Sequence, residues 1–239
     1  MHWAFITMTL AIAGFVQGLT GFGFGLVSMS LLPLILGLKQ AAMVGTIYGL
    51  VATVGTFFQH YREFNWRLGA TFFFSSCLGV PLGVYFLEKT SEGILLRVLG
   101  TFMLIFAARE FFLRRKLQPM HPAVSVPFGL FSGSLSGAFN LGGIPTAAYA
   151  YAHPWSQGQI MAFLQVVITS SCVLRLICYS QVGYFKEFSW ALAAVVVVPV
   201  FLAMGLGHFC MRRVDPKRMR QGVFVFIAVF GFYYLLVHR

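Results

Sequence analysis

Eight apolar stretches separated by short polar breaks organise this 239-residue chain, at about 3–36, 41–61, 67–87, 93–113, 123–152, 156–181, 187–211 and 217–238. A helix that crosses the hydrocarbon core of a bilayer needs about 20 apolar residues, so six of the stretches fit one crossing each. Only 10% of residues are charged and mean hydropathy is +0.82, which is more apolar surface than one soluble domain can bury. The bilayer is the expected solvent, and the expected fold class is all-α integral membrane, because runs of about 20 apolar residues fit helices, whose backbone bonds close within the segment. The four tryptophans, Trp3, Trp66, Trp155 and Trp190, fall at or near stretch ends, where an amphipathic ring sits at headgroup level.

The formal charge of +11 comes from basic residues clustered between stretches (Arg114, Arg115 and Lys116; Arg212, Arg213, Lys217, Arg218 and Arg220), so it reads as a topology signal and not as a nucleic-acid surface. Cys77, Cys172, Cys178 and Cys210 lie inside stretches without CxxC spacing, which supports neither a disulfide framework nor a metal site. The first stretch lacks the basic flank of a signal peptide and is read as mature protein.

The first and fifth stretches, at roughly 30 residues, are too long for a single crossing and carry glycine clusters in mid-segment. They correspond: Gly14, Gly18, Gly21 and Gly25 with Pro33 in one, and Gly129, Gly133, Gly137, Gly142 and Gly143 with Pro145 in the other. Downstream, Trp66 after "EFN" is echoed by Trp190 after "KEFS", and Gly79 and Gly83 by Met204-Gly205 and Gly207. The chain therefore reads as one four-segment unit used twice: repeat 1 over 1–113, a basic cytoplasmic linker over 114–122, and repeat 2 over 123–239, in one membrane domain.

Loop charge decides how the long stretches run. If all eight cross, Lys and Arg divide about evenly between the two faces, against the positive-inside tendency. If the first and fifth enter and return as re-entrant hairpins, the linker and the 62–67 and 212–220 loops share one basic face, while Glu88, Glu92 and Glu187 lie on the other. Each repeat then has three transmembrane helices after its broken segment, and the odd number inverts the second repeat. A long tilted span kinked at glycine is the alternative.

The breaks at Gly21-Phe22-Gly23-Phe24-Gly25 and Asn140-Leu141-Gly142-Gly143-Ile144-Pro145 are where helix is least favoured. Pro145 suits the first turn of a new helix. A helix starting at membrane depth offers N–H groups and a positive dipole end to an anion. The expected substrate site, at mid-membrane between the two broken segments, comprises Gln17, Thr20, Gly21, Gly23 and Gly25 from the first, and Ser132, Ser136, Asn140, Gly142, Gly143, Thr146 and Tyr149 from the second. Arg175 joins them as the one charged residue inside a span, placed there either to pair with an anion or to snorkel to the interface. The polar side chains equally suit helix capping. No Asp or Glu falls in a span core, so a carboxylate proton relay is not expected.

These motifs resemble the TauE/SafE sulfite-exporter family of membrane transporters: the GxxxGxxGxGxG spacing from Gly14 to Gly25 ahead of Pro33, the second-half "GLFSGSLSGAFNLGGIPTAAY" from Gly129 to Tyr149, and the two-halves layout over essentially the whole chain. Relatives often have "GGPP" at the second turn, where this chain has Ile144 before Pro145. The resemblance implies a multi-pass protein of the bacterial inner membrane: a secondary transporter or permease that moves sulfite, sulfonates or related small organic anions by alternating access. Lipid is its surroundings, a proton or sodium the coupling ion, and no cofactor or nucleic acid is implied. An ATP-driven engine is not expected, since GxxxxGK[ST] is absent. An intramembrane enzyme is disfavoured because "GSLSG" has Leu135 at the nucleophile position of GxSxG and no HExxH occurs. A membrane scaffold or assembly factor is the remaining alternative.

Overall fold

The computed structural model describes residues 2–21, 23–112, 122–185, 190–210 and 216–236. Among these there is no strand, and the eight apolar stretches become ten α-helices, because the first and fifth each break in two. In order they are α1 (His2–Thr20), α2 (Phe24–Leu31), α3 (Leu38–His60), α4 (Trp66–Lys89), α5 (Glu92–Phe112), α6 (Pro122–Phe139), α7 (Gly143–Ala152), α8 (Gln157–Val182), α9 (Trp190–Cys210) and α10 (Pro216–Leu236). Short 3-10 turns follow α2 and α3. Among the described residues, five segments are long and apolar enough to cross a membrane: Trp3–Thr20, Leu38–Glu63, Trp66–Lys89, Gln157–Val182 and Ala193–Cys210. α5, read from sequence as a crossing, falls outside that set although it has 21 residues, and the described part of α10 gives Gln221–Leu236 as a shorter apolar helix. Glu92, Arg97 and Arg109 interrupt the apolar run of α5. Residues 113–121 of the expected basic linker, and 211–215 of the other basic loop, lie outside the described residues.

The chain divides into two compact units, and each takes helices from both halves of the sequence. The first comprises Met1–Gly45, Lys89–Arg115 and Ser189–Arg239; the second comprises Thr46–Glu88 and Lys116–Phe188. In the first unit α1 packs on α9, α5 on α10, and α2 on both α1 and α10. In the second, α6 packs on α4, and α7 and α8 close over α6.

Helices approach so closely here because the facing residues are small, which is how helices associate when lipid removes the hydrophobic drive between them. On α4, buried Phe72, Ser75, Ser76, Gly79, Val80, Gly83, Val84 and Leu87 repeat at helical spacing, while Phe74, Leu78, Leu82 and Tyr85 are exposed, as a lipid-facing side requires. A Cβ on Gly133 would strike the Ser76 carbonyl, one on Gly137 the Val80 carbonyl, and one on Gly83 the Ser134 carbonyl. In the first unit a Cβ on Gly14 would sit 2.9 Å from the Val200 carbonyl oxygen, while one on Gly18 would strike the Met204 carbonyl and one on Gly207 the Phe15 carbonyl. The two sets match residue for residue: α1 lies on α9 in the same register as α6 lies on α4. The sequence pairs Gly79 and Gly83 with Gly205 and Gly207, but only Gly207 takes part, because Gly205 faces open space.

The last helices of the two halves, α5 and α10, meet reciprocally. A Cβ on Gly100 would sit 2.7 Å from the Gly231 carbonyl oxygen, and one on Gly231 would sit 3.0 Å from that of Gly100. Tyr234 then donates to the Ser30 carbonyl at 2.8 Å, fixing α10 against α2. At the start of α3, Glu92 accepts from the Leu38 N–H at 2.6 Å, so a carboxylate meets the positive end of that helix.

Candidate functional site

Both breaks are built by one device. At the end of α1, Gly21 takes a left-handed conformation (φ 75°) and its N–H donates to the Gln17 carbonyl at 2.8 Å. At the end of α6, Asn140 does the same (φ 59°), donating to the Ser136 carbonyl at 3.1 Å. Glycine and asparagine are the residues that end helices this way. The next helix starts at Phe24 in one case and Gly143 in the other. Gly25, expected in the first turn, therefore lies inside α2, whereas Pro145 occupies the first turn of α7 as expected.

Past the second break the chain reverses. Ser132 donates to the Gly142 carbonyl at 2.9 Å and shares a 2.8 Å hydrogen bond with Thr146, and farther from the turn Ser125 and Tyr149 share one of 2.7 Å. Contacts that step outward on both sides of a turn mean that α7 runs antiparallel along α6. Gly142 is held to glycine by this closure, since a Cβ there would lie 2.5 Å from the Ser136 Cβ. Thr146 and Ser132 are thus occupied in closing the hairpin. Tyr149 has its hydroxyl on Ser125 and its ring 4.6 Å from that of Phe72, inside a core that includes Phe64 and Phe163.

The two breaks differ in what fills them. At the first, Gln17 spans the turn by itself: its Oε1 accepts from the Phe24 N–H at 3.1 Å and its Nε2 donates to the Gly21 carbonyl at 3.1 Å. Gln17 is 4% exposed and supplies the partner that the start of α2 lacks. Thr20 bonds back to the Val16 carbonyl at 2.8 Å, and Gly23 (φ 117°) caps α2. Replacing Gln17 with alanine leaves the Phe24 N–H without this partner, and a loss of about 1–3 kcal/mol is expected. Thermal unfolding of the purified protein in detergent measures it, while Arg175-dependent uptake persists.

At the second break the register of Gln17 is taken by Ser136, whose side chain is too short to span the turn. Arg175 comes in from α8 instead. It is 3% exposed, donates from Nη1 to the Ser136 carbonyl at 2.7 Å and from Nη2 to the Cys172 sulfur at 3.1 Å, and leaves its buried Nε without a partner. Snorkelling is thereby excluded: the guanidinium goes to the turn. Tyr179 donates to the Gly137 carbonyl at 3.3 Å, and Thr46 donates to the Asn140 Oδ1 at 3.0 Å. Arg175 and Tyr179 cap the last carbonyls of α6, where a cation meets the negative end of the helix dipole.

Of the residues expected at the site, the structure gathers Ser132, Ser136, Asn140, Gly142, Gly143, Thr146 and Arg175 around the second turn. Gln17, Thr20, Gly21 and Gly23 build the first. Thr46, Cys172 and Tyr179 are additions. Cys172 and Tyr179 stand three before and four after Arg175, on one face of α8, which is a signal the sequence carries. Thr46 has no such signal, since it comes from a helix far away in the sequence.

An arginine stays charged wherever it is placed. Among the described residues no carboxylate pairs with Arg175, and no group of three or more His, Cys, Asp or Glu suits a metal ion. A buried cation at the end of α6 with one N–H unanswered is fitted to attract an anion.

The model of the family described as "Sulfite exporter TauE/SafE" matches residues 6–234. The chain is 25% identical to a protein of Cupriavidus necator named "Probable sulfite/organosulfonate exporter TauE", over 90% of this chain and 86% of that one. It is 22% identical to a protein of Methanocaldococcus jannaschii named as a probable membrane transporter, over 95% of this chain and 94% of that one. No solved structure matches the chain significantly. With a match over nearly its whole length, the chain is a multi-pass membrane protein and belongs to the sulfite exporter TauE/SafE family, whose members are transporters and not enzymes.

Proposed function

We propose that the chain is a secondary transporter or permease that moves small anions, of the sulfite, sulfonate or related organic class, across a bacterial inner membrane by alternating access. The observation that carries this reading is Arg175, a buried cation at the second helix break with an unpartnered Nε and no carboxylate beside it among the described residues. An anion held there answers Nε with a charge-assisted hydrogen bond. The printed names of two relatives, one an exporter of sulfite or organosulfonates and one a membrane transporter, favour the same substrate class. Coupling to a proton or sodium gradient supplies the drive.

The two halves act as inverted repeats with re-entrant broken segments in this proposal. The matching registers of α1 on α9 and α6 on α4, the reciprocal approach of Gly100 and Gly231, and the antiparallel course of α6 and α7 support it. Cysteines introduced at Pro122 and Pro154, in a chain without its native cysteines, then react with an impermeant thiol reagent from the same side of the membrane. Reaction from opposite sides means that α6 and α7 cross it.

Uptake into proteoliposomes tests the function. Sulfite, methanesulfonate and small carboxylates, offered with imposed proton or sodium gradients, are expected to enter saturably and to exchange in counterflow. Movement of neutral solutes with no movement of anions would contradict the proposal.

A further inference from the structure

The charge around Arg175 says more than that an anion binds. We propose that the second break selects singly charged oxyanions over doubly charged ones. This inference rests on the anion reading given above and adds to it a rule about charge.

Arg175 contributes one full positive charge. Among the described residues, the ionisable groups shown to interact with it are the Cys172 thiol and the Tyr179 phenol, both on α8. Among the described residues, the side chains that bond across the turn from the other elements are neutral: the Ser132 hydroxyl of α6, the Thr146 hydroxyl of α7, the Thr46 hydroxyl of α3 and the Asn140 amide. The C-terminal end of α6 and the N-terminal end of α7 meet here with opposite dipole signs, about half a charge each, so their fields largely cancel. Among the described residues, the charge at the turn is that of one guanidinium.

A monoanion neutralises that charge. A dianion would leave one negative charge uncompensated where burial makes an unpaired charge most costly. The arrangement of donors agrees: one free Nε–H can satisfy one charged oxygen strongly and neutral hydrogen bonds the others, and among the described residues no second cation bonds a group of this turn, Arg62 and Arg67 of the same unit lying at the α3–α4 connection.

For sulfite the rule has a specific consequence. Its second proton leaves near neutral pH, so the species carried is hydrogensulfite, and transport declines as the dianion replaces it. Methanesulfonate stays a monoanion throughout and sulfate stays a dianion, which makes them the reference and the excluded probe.

The test uses the unmodified chain in proteoliposomes and takes the initial uptake of each anion relative to methanesulfonate at the same pH, so that any pH dependence of the protein itself cancels. The sulfite-to-methanesulfonate ratio is expected to fall about tenfold for each pH unit above the sulfite midpoint, and sulfate uptake to stay at least about tenfold below that of methanesulfonate at every pH. A flat sulfite ratio, or sulfate carried as fast as methanesulfonate, overturns the charge rule while the anion transporter stands. If none of the three anions enters at any pH, the anion reading itself fails and the charge rule with it.

Discussion

Gly83→Val is expected to leave almost no folded protein in detergent extracts, while Gly205→Ala is recovered at the level of the unmodified chain. A Cβ on Gly83 strikes the Ser134 carbonyl and would lie 2.8 Å from the Ala138 nitrogen and 2.9 Å from the Gly137 Cα. Every one of these atoms is backbone, so no side chain can swing aside. Relief requires α4 and α6 to separate, which also opens the Gly79–Leu130 and Gly133–Ser76 approaches along the same seam. Overpacking typically costs 1–3 kcal/mol, and where only backbone can give way about 3 kcal/mol or more is expected, a large share of the stability of a single domain. Monodisperse recovery by size-exclusion chromatography measures the effect. Gly205 has nothing within 4 Å of an added Cβ, so its replacement by alanine tests whether glycine itself or the seam is what matters.

The second large effect falls on transport. Arg175→Gln is expected to lower uptake of methanesulfonate at least about 30-fold, the equivalent of about 2 kcal/mol for truncating one partner of a buried charge pair. Glutamine keeps a donor that can reach toward the Ser136 carbonyl but brings no charge, so the hairpin keeps its capping contact and the site loses its attraction. Arg175→Lys keeps the charge as a point on a flexible stem, without the planar fork that serves Ser136, Cys172 and a ligand together, and is expected to fall between the two. Because removing a buried cation that has no carboxylate partner strands no opposite charge, Arg175→Gln is expected to fold. Recovery by size-exclusion chromatography alongside the uptake assay separates loss of function from loss of fold. Normal uptake by a well-folded Arg175→Gln protein would remove Arg175 from the site.

Most element boundaries were legible because the lipid imposes a simple rule: apolar length sets the helix, and polar residues end it. The breaks were legible too, since Gly21, Asn140, Gly142 and Pro145 each carry a local conformational preference that acts without knowledge of the rest of the chain. Gly25 misled because its neighbours favour helix and one glycine does not stop α2 once Gly23 has started it. The duplicated pattern of glycines pointed to matching seams, but only the packing distinguishes Gly207, pressed against Phe15, from Gly205, which is open.

The functional side chains were harder to read because their roles depend on which helix lies opposite. Gln17 and Asn140 look alike in sequence, both amides beside a break. In the fold Gln17 closes its own turn, whereas Asn140 is itself the left-handed turn residue and receives Thr46. Arg175 had two readings because its distance from the end of α8 permits either. The approach of α6, whose Gly133 and Gly137 let it lie close against α4, places the Ser136 carbonyl where the guanidinium can bond it. Tyr149, expected to contact substrate, instead has its ring in the aromatic core and its hydroxyl on Ser125.

The most direct test of an anion held by Arg175 uses the thiol beside it. Cys172 lies 3.1 Å from Nη2 and is 2% exposed, so a reagent reaching it competes with whatever occupies the turn. In a transport-competent chain with Cys77, Cys178 and Cys210 replaced, saturating methanesulfonate is expected to slow alkylation of Cys172 about tenfold or more, with no protection by a neutral solute of similar size. An alkylation rate unchanged by anion, in protein that still transports it, would place the binding site elsewhere.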